Sequence, residues 1–369
     1  MKLAPFELER YFAKHEFSTR YLLSSSDCDG LALAEVLSLA DGEARGLWDK
    51  LTLGYCESQG LPLLRREIAA LHDGLDADEI LVAAPQELVL IAMSCLLDKG
   101  DHVVCTFPGY QSLYQIPESI GCRVDRWEPV EEEGWRFRID DLLAKLRPET
   151  KLLIINFPHN PTGSLPSAGD FRRIMEIARE RVLYVFSDEM YRYLELDPKD
   201  RLPAACELYE KAVSLSGMSK SFGLAGLRVG WLATKDAGLR ARFLEYKDYT
   251  TICAAGPSEI LALIGLRARD AIIARHRARI QRNLLLLDAF FAKHSADFSW
   301  IRPKAGTIGF PGLIHEKDPE AFCARAREAE VLLMPSTVYG YPRPHFRIGF
   351  GRENMPEALV RLAAALRGA

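Results

Sequence analysis

From about Leu61 onward, short apolar runs alternate with stretches in which apolar residues recur every three or four positions. Residues 102–107 (HVVCTF), 123–130 (RVDRWEPV), 151–157 (KLLIINF), 182–188 (VLYVFSD) and 211–216 (KAVSLS) are rich in β-formers and have the length of strands. Residues 88–97 are apolar on every side, as in a buried helix, and 110–120 and 168–181 carry helical spacing. Strands alternating with helices predict a largely parallel sheet covered on both faces. Such sheets bind ligands beyond the carboxyl ends of their strands. After Pro257 the pattern changes: 258–293 reads as one long helix, followed by the strand candidates FSWI, TIGF, VLLMP and FRIGFG and a closing helix over 355–366. At the other end, MKLAPFELERYFAKHEF alternates charged and apolar positions like an amphipathic helix. The chain therefore reads as two lobes, the second built from the C-terminal segment and joined by the N-terminal helix.

A length of 369 residues agrees, since it exceeds what one hydrophobic core usually serves. The net charge of −4, with both signs mixed throughout, gives no reason to expect nucleic acid or an anionic membrane as partner. No segment approaches the roughly 20 apolar residues of a membrane span, and the N-terminus lacks a signal-peptide core. The eight cysteines are scattered without metal-ligand spacing, which predicts small core residues in a reducing compartment, no bound metal, and a cytoplasmic location. The acidic stretch 131–133 reads as a solvated loop.

Four polar clusters follow predicted strands. NFPHNPTG (156–163) has turn chemistry of its own. SDEMY (187–191) places Asp188 where it is either a helix N-cap or a partner for a protonated pyridine nitrogen. SLSGMSKSFGLAGLRVGW (214–231) is too apolar for a solvated loop; a lysine in such surroundings loses solvation of its charged form and becomes nucleophilic, and Arg228 offers a planar fork for phosphate. In HFRIGFG (345–351), Arg347 sits in an apolar strand and needs an anionic partner, either a substrate carboxylate or a structural acid.

In this order the four motifs resemble the class I/II aminotransferases, fold type I of the pyridoxal-phosphate enzymes, over nearly the whole chain. The resemblance implies an aspartate aminotransferase-like α/β fold: a three-layer α/β/α large domain with a mostly parallel sheet (41–270) and a smaller α+β domain (1–40 with 271–369). It implies pyridoxal 5'-phosphate held by Lys220 as a Schiff base, with Asp188 on the ring nitrogen and Asn160 and Tyr191 on the ring hydroxyl. Tyr110 would stack on the ring, while Arg228, Ser219 and the Gln86 turn would serve the phosphate. Tyr55 would reach the phosphate of a neighbouring subunit, which implies a homodimer with shared sites. Arg347, with Asn160, would take the substrate α-carboxylate, and Lys220, Asp188 and Tyr191 would carry the catalysis. The implied substrates are an amino acid and a 2-oxo acid.

The sequence departs from the family pattern in three places. In VAAPQELVL (82–90), Ala84 replaces a common glycine and Pro85 lacks an N–H for an anion. Gly217 stands where many family members carry a phosphate-contacting hydroxyl. SSSDCDG (24–30) is unusually acidic: it reads as a capped turn before a helix from Leu31, or else Asp27 or Asp29 receives a cationic side chain. Cyclising members of the capreomycidine synthase kind, which act on arginine-derived substrates, share the fold and the lysine. Lyase or cyclase chemistry thus stands as an alternative to amino-group transfer, and a silent binding protein as a third reading that the intact Lys220, Asp188 and Arg228 disfavour. Substrate choice is expected to lie in the segments 24–30, 246–255 and 336–341.

Overall fold

The alternating pattern becomes a seven-stranded sheet in a computed structural model of the chain, which describes residues 2–367. Its strands are β1 (Ile80–Ala83), β2 (His102–Thr106), β3 (Arg123–Trp127), β4 (Thr150–Asn156), β5 (Tyr184–Asp188), β6 (Ala212–Gly217) and β7 (Gly230–Ala233), in the spatial order β1-β7-β6-β5-β4-β2-β3. Strands β3, β2, β4, β5 and β6 run parallel, whereas β7 is antiparallel to both β6 and β1. The all-apolar β runs are double-sided. Leu152 and Ile154 pack with the helix Pro85–Leu96 on one face, and Leu153 and Ile155 pack with the helix Ala168–Glu180 on the other. A two-residue side-chain period accounts for this split. The result is a three-layer α/β/α body of the aspartate aminotransferase kind, as expected.

The C-terminal third builds short strands: β8 (Phe298–Ser299) pairs with β10 (Gly312–Leu313), and β12 (Phe346–Gly349) lies between β9 (Ile308–Gly309) and β11 (Met334–Pro335). Their core takes in Tyr21 and Leu23 from the N-terminal segment, along with Leu284 and Leu287 of a long helix. The expected single helix over 258–293 is in fact two, Gly256–Arg267 and Arg269–Lys293, meeting at Ala268. The first is buried on nearly every side within the sheet-covering core; the second exposes one flank and turns towards the C-terminal core. The acidic stretch is a single 3₁₀ turn, and Glu131 is not a solvated residue: it accepts from His345 Nε2 at 3.1 Å and pairs with Arg343.

Two glycines let the C-terminal strands close on the sheet end. Gly163, at φ 65°, sits so close to the 303–308 turn that a Cβ would meet Pro303 Cβ at 2.5 Å and two carbonyl oxygens at 2.8 and 2.9 Å. A Cβ at Gly349 would run into the Ser25 carbonyl. Gly163→Ala is expected to cost about 2–4 kcal/mol, from overpacking and the left-handed backbone together, read as a lower denaturant midpoint. A midpoint equal to that of the parent chain would refute the close-approach account.

Candidate active site

Strands β4 and β5 are in register, so Asn156 lies beside Asp188 at the carboxyl edge of the sheet. Asn156 uses both ends of its amide: Nδ2 donates to the Asp188 carbonyl at 3.0 Å, and Oδ1 accepts from the Asn160 N–H at 2.8 Å. This folds the NPTG turn back over the strand ends. Strand β6 stops at Gly217, three residues before Lys220. A cavity of about 490 Å³ opens here, and its wall brings together Lys220, Asp188, Tyr191, Asn160, Tyr110, Arg228, Ser219, Gln86 and Arg347. Tyr55 is not among them; it is 91% exposed, outside the cavity of its own chain.

The wall groups are charged and short of partners. Lys220 Nζ donates to Ser26 Oγ at 2.8 Å. Burial lowers the pKa of this amine, with Asp27 pulling it the other way. Asp188 is buried; loss of solvent pushes its carboxyl up to about 6, against a 3.1 Å hydrogen bond from the Met190 N–H that favours the anion. The Tyr191 hydroxyl lies towards Ser26 but finds no partner at hydrogen-bond geometry, although the residue is only 3% exposed. Tyr110 donates to Glu9 at 3.0 Å, which ties the Glu7–His15 helix to the cavity mouth.

Arg347 is 1% exposed, yet its hydrogen bonds go to neutral groups. Nε and Nη2 donate to the Ser24 carbonyl at 2.9 and 2.6 Å, and Nη1 donates to the Tyr339 hydroxyl at 2.6 Å. Tyr339 in turn donates to Asn160 Oδ1 at 3.0 Å. These dipoles hold the guanidinium in place without cancelling its charge, so the cavity keeps a fixed cation for an anionic guest. Arg228 adopts the left-handed region (φ 56°) and donates to the Ala225 carbonyl at 3.0 Å; it too has no carboxylate partner among the described residues.

The acidic segment does not cap the next helix. The next helix begins at Leu33 with no side-chain cap. Asp29 is committed to structure, receiving the Glu353 N–H at 2.8 Å and pairing with Arg279 and Arg352. Asp27 does line the cavity, but Arg352 Nη2 holds it at 2.8 Å. Two wall groups, Glu9 and Glu16, were not picked out by sequence reasoning; Ser26 on the wall, and Ser24 and Tyr339 that brace Arg347, were covered only as members of the segments 24–30 and 336–341. The spacing of Glu9, Phe12 and Glu16 along the first helix was the one available signal, but charge on an amphipathic helix ordinarily marks its solvent side. Pro85 opens its helix on the cavity wall. Its ring packs where a Cβ on Gly230 would otherwise sit, and Gly217 lies against Gly230 too closely for a side chain. Two of the departures, Pro85 and Gly217, thus belong to one tight strand contact.

A family model for aminotransferases of class I and II matches residues 21–363. Among curated proteins, capreomycidine synthase of Streptomyces vinaceus is 26% identical over 97% of this chain and 93% of its own length. A pyridoxal-phosphate (PLP)-dependent aminotransferase from Streptococcus suis superposes with a TM-score of 0.93 at 30% identity, covering 100% of this chain and 99% of that one. The PLP-dependent cyclase OrfR gives 0.89 at 28% identity, covering 100% and 98%.

Proposed function

We propose a function from one premise: the chain belongs to the class I and II aminotransferase family. Its cofactor is pyridoxal 5'-phosphate. The reading is transfer of an amino group between an amino acid and a 2-oxo acid. It is carried by one observation: a lowered-pKa amine, a buried carboxylate and a buried arginine without an acid partner meet in one cavity.

The residues fit the cofactor by their chemistry and by what two of them leave open: the buried Tyr191 hydroxyl has no partner, and Arg228 has no carboxylate among the described residues. Lys220 would hold it through Nζ, Asp188 would face the ring nitrogen, and the Tyr191 hydroxyl with the Asn160 amide would meet the ring oxygen. Tyr110 would cover the ring, and Arg228, Ser219 and the Gln86 turn would serve the phosphate. When bound, the cofactor supplies an electron sink that makes the substrate α-carbon acidic. Asp188 keeps a positive charge on the ring by its own negative one. Arg347, braced by Tyr339 and the Ser24 carbonyl, fixes the α-carboxylate, and Asn160 stands beside it. Lys220 Nζ, with its lowered pKa, takes the α-proton as general base.

The test is incubation of the holoenzyme with single amino acids and no acceptor. Transfer yields one equivalent of 2-oxo acid per site and then halts until an acceptor is added. A second reading, elimination or cyclisation, is favoured by the similarity to capreomycidine synthase and to the cyclase OrfR. It requires continued turnover with no acceptor, and that result would replace transfer as the function.

Three further features belong to this reading. A homodimer with Tyr55 in the partner's site is supported by the exposure of Leu53, Tyr55 and Tyr249, each about 90% accessible. Cytoplasmic location is supported by eight free cysteines. The division into 41–270 against 1–40 with 271–369 is supported by the C-terminal core around Leu284, Phe322 and Phe346, although Leu8, Val36, Ile272, Phe310, Met334 and Tyr339 pack with the sheet-side cores.

A further inference from the structure

The proposed chemistry assigns most of the charges on the cavity wall but leaves some over. Lys220 and Arg228 go to the cofactor, Asp188 to its ring and Arg347 to the α-carboxylate; Asp27 is neutralised by Arg352 at 2.8 Å. Glu9 receives only the Tyr110 hydroxyl, and Glu16 makes no hydrogen bond or ion pair among the described residues. Both line the cavity, and Glu16 is half-buried. Burial above all, then the nearby Asp27, raises its carboxyl pKa, while Arg352 and Lys220 pull it down from a distance without bonding to it.

The geometry gives these acids a direction. Glu9, Phe12 and Glu16 follow one another at helical spacing along Glu7–His15 and the turn that continues it, so they share a face. Phe12 lies over Arg347, with the guanidinium carbon 5.6 Å from its ring centre. Glu16 is therefore about one helical turn, ~5 Å along the axis, from the point above the carboxylate-binding arginine. That the cavity awaits a guest follows separately from Arg347 without an acid partner and from the unpartnered Tyr191 hydroxyl, both more than nine-tenths buried. A guest anchored at Arg347 would carry its side chain past the acids of this helix face.

We propose that the amino acid taken by this site bears a positive charge at the far end of a three- or four-carbon side chain, an ammonium or guanidinium received by Glu16 with Glu9 beside it. This rests on the reading of Arg347 as the α-carboxylate anchor. A neutral or acidic side chain would leave two carboxylates at the mouth with no cation bonded to them, so the same acids select against it.

The test uses binding, so that it stands apart from turnover. Holoenzyme is titrated calorimetrically with 5-guanidinopentanoate and 5-ureidopentanoate, which share shape and carboxylate, lack the amine, and differ in distal charge. The guanidino acid is expected to bind about tenfold more tightly, with the ratio falling to within about twofold in Glu16→Gln. Glu9→Gln is expected to reduce the ratio less. Equal affinities in the parent chain, or a ratio unchanged in both variants, would overturn the proposal. A clear ratio in an enzyme that fails to transfer amino groups would sink only the transfer reading, and transfer without a ratio would sink only this one.

Discussion

Replacing Lys220 with alanine is expected to abolish turnover, by a factor on the order of 10⁴ or more, and to leave the purified chain without covalently held cofactor. The size follows from two losses at one atom. Nζ is the amine that would hold the cofactor, and it is the base placed to take the α-proton, a role worth roughly 10²–10⁴-fold by itself. Its chemistry depends on burial that lowers the amine pKa and on a single 2.8 Å hydrogen bond to Ser26. The check is mass spectrometry after borohydride reduction, with circular dichroism to establish that the variant folds. Residual activity above about one per cent of the parent would contradict the assignment.

Asp188→Asn should separate charge from shape. The amide has nearly the same outline and its oxygen still accepts from the Met190 N–H, but it cannot hold a positive ring nitrogen by charge. A fall in kcat on the order of 10²–10³ is expected, the scale for removing one preorganised electrostatic contact. Stability of the cofactor-free chain should move the other way. Burial raises this carboxyl to about 6 from an ordinary value near 3.8. The folded state therefore holds the proton more tightly than the unfolded one, and the contribution of Asp188 to stability declines as pH rises across that interval. At pH 8 the parent chain keeps a desolvated carboxylate that the variant lacks, so the cofactor-free variant should melt no lower than the parent. Thermal melts of both at pH 8 and pH 4 test this; a variant much less stable at pH 8 would show that Asp188 serves the fold instead.

Much of this site was legible because its chemistry sits in short motifs just after buried strands. The runs ending at Asn156 and Asp188 appear within two residues of where the apolar pattern places them, and the cofactor side of the cavity follows from their register. What was hidden had weak local signal. Strands β1 and β7 are four residues each; one runs into the presumed phosphate turn, and the other starts from Gly230 at the end of the lysine motif, where glycine masks the strand pattern. In the C-terminal third the candidates FSWI, TIGF, VLLMP and FRIGFG each hold a strand, and only β10, two residues long and held by packing more than by propensity, went unseen. The helix break at Ala268 has no proline to announce it, and the nearest glycine, Gly265, is still inside the first helix. Arg347 was visible, but its bracing by Tyr339 and Ser24 spans 8 and 323 positions, a separation no spacing rule covers.

In the proposed reading the groups facing the cofactor come from the middle of the chain, between Gln86 and Arg228, whereas those facing the substrate, Asn160 apart, come from the first helix and the turn after it, the 24–27 segment and β12 near the end. Reaction type and selectivity are thus written in different stretches of the polypeptide. Exchanging the two ends together, as a matched pair that keeps the fit of Gly349 against Ser25, is a route to new substrates that leaves the proton-handling lysine and its carboxylate untouched.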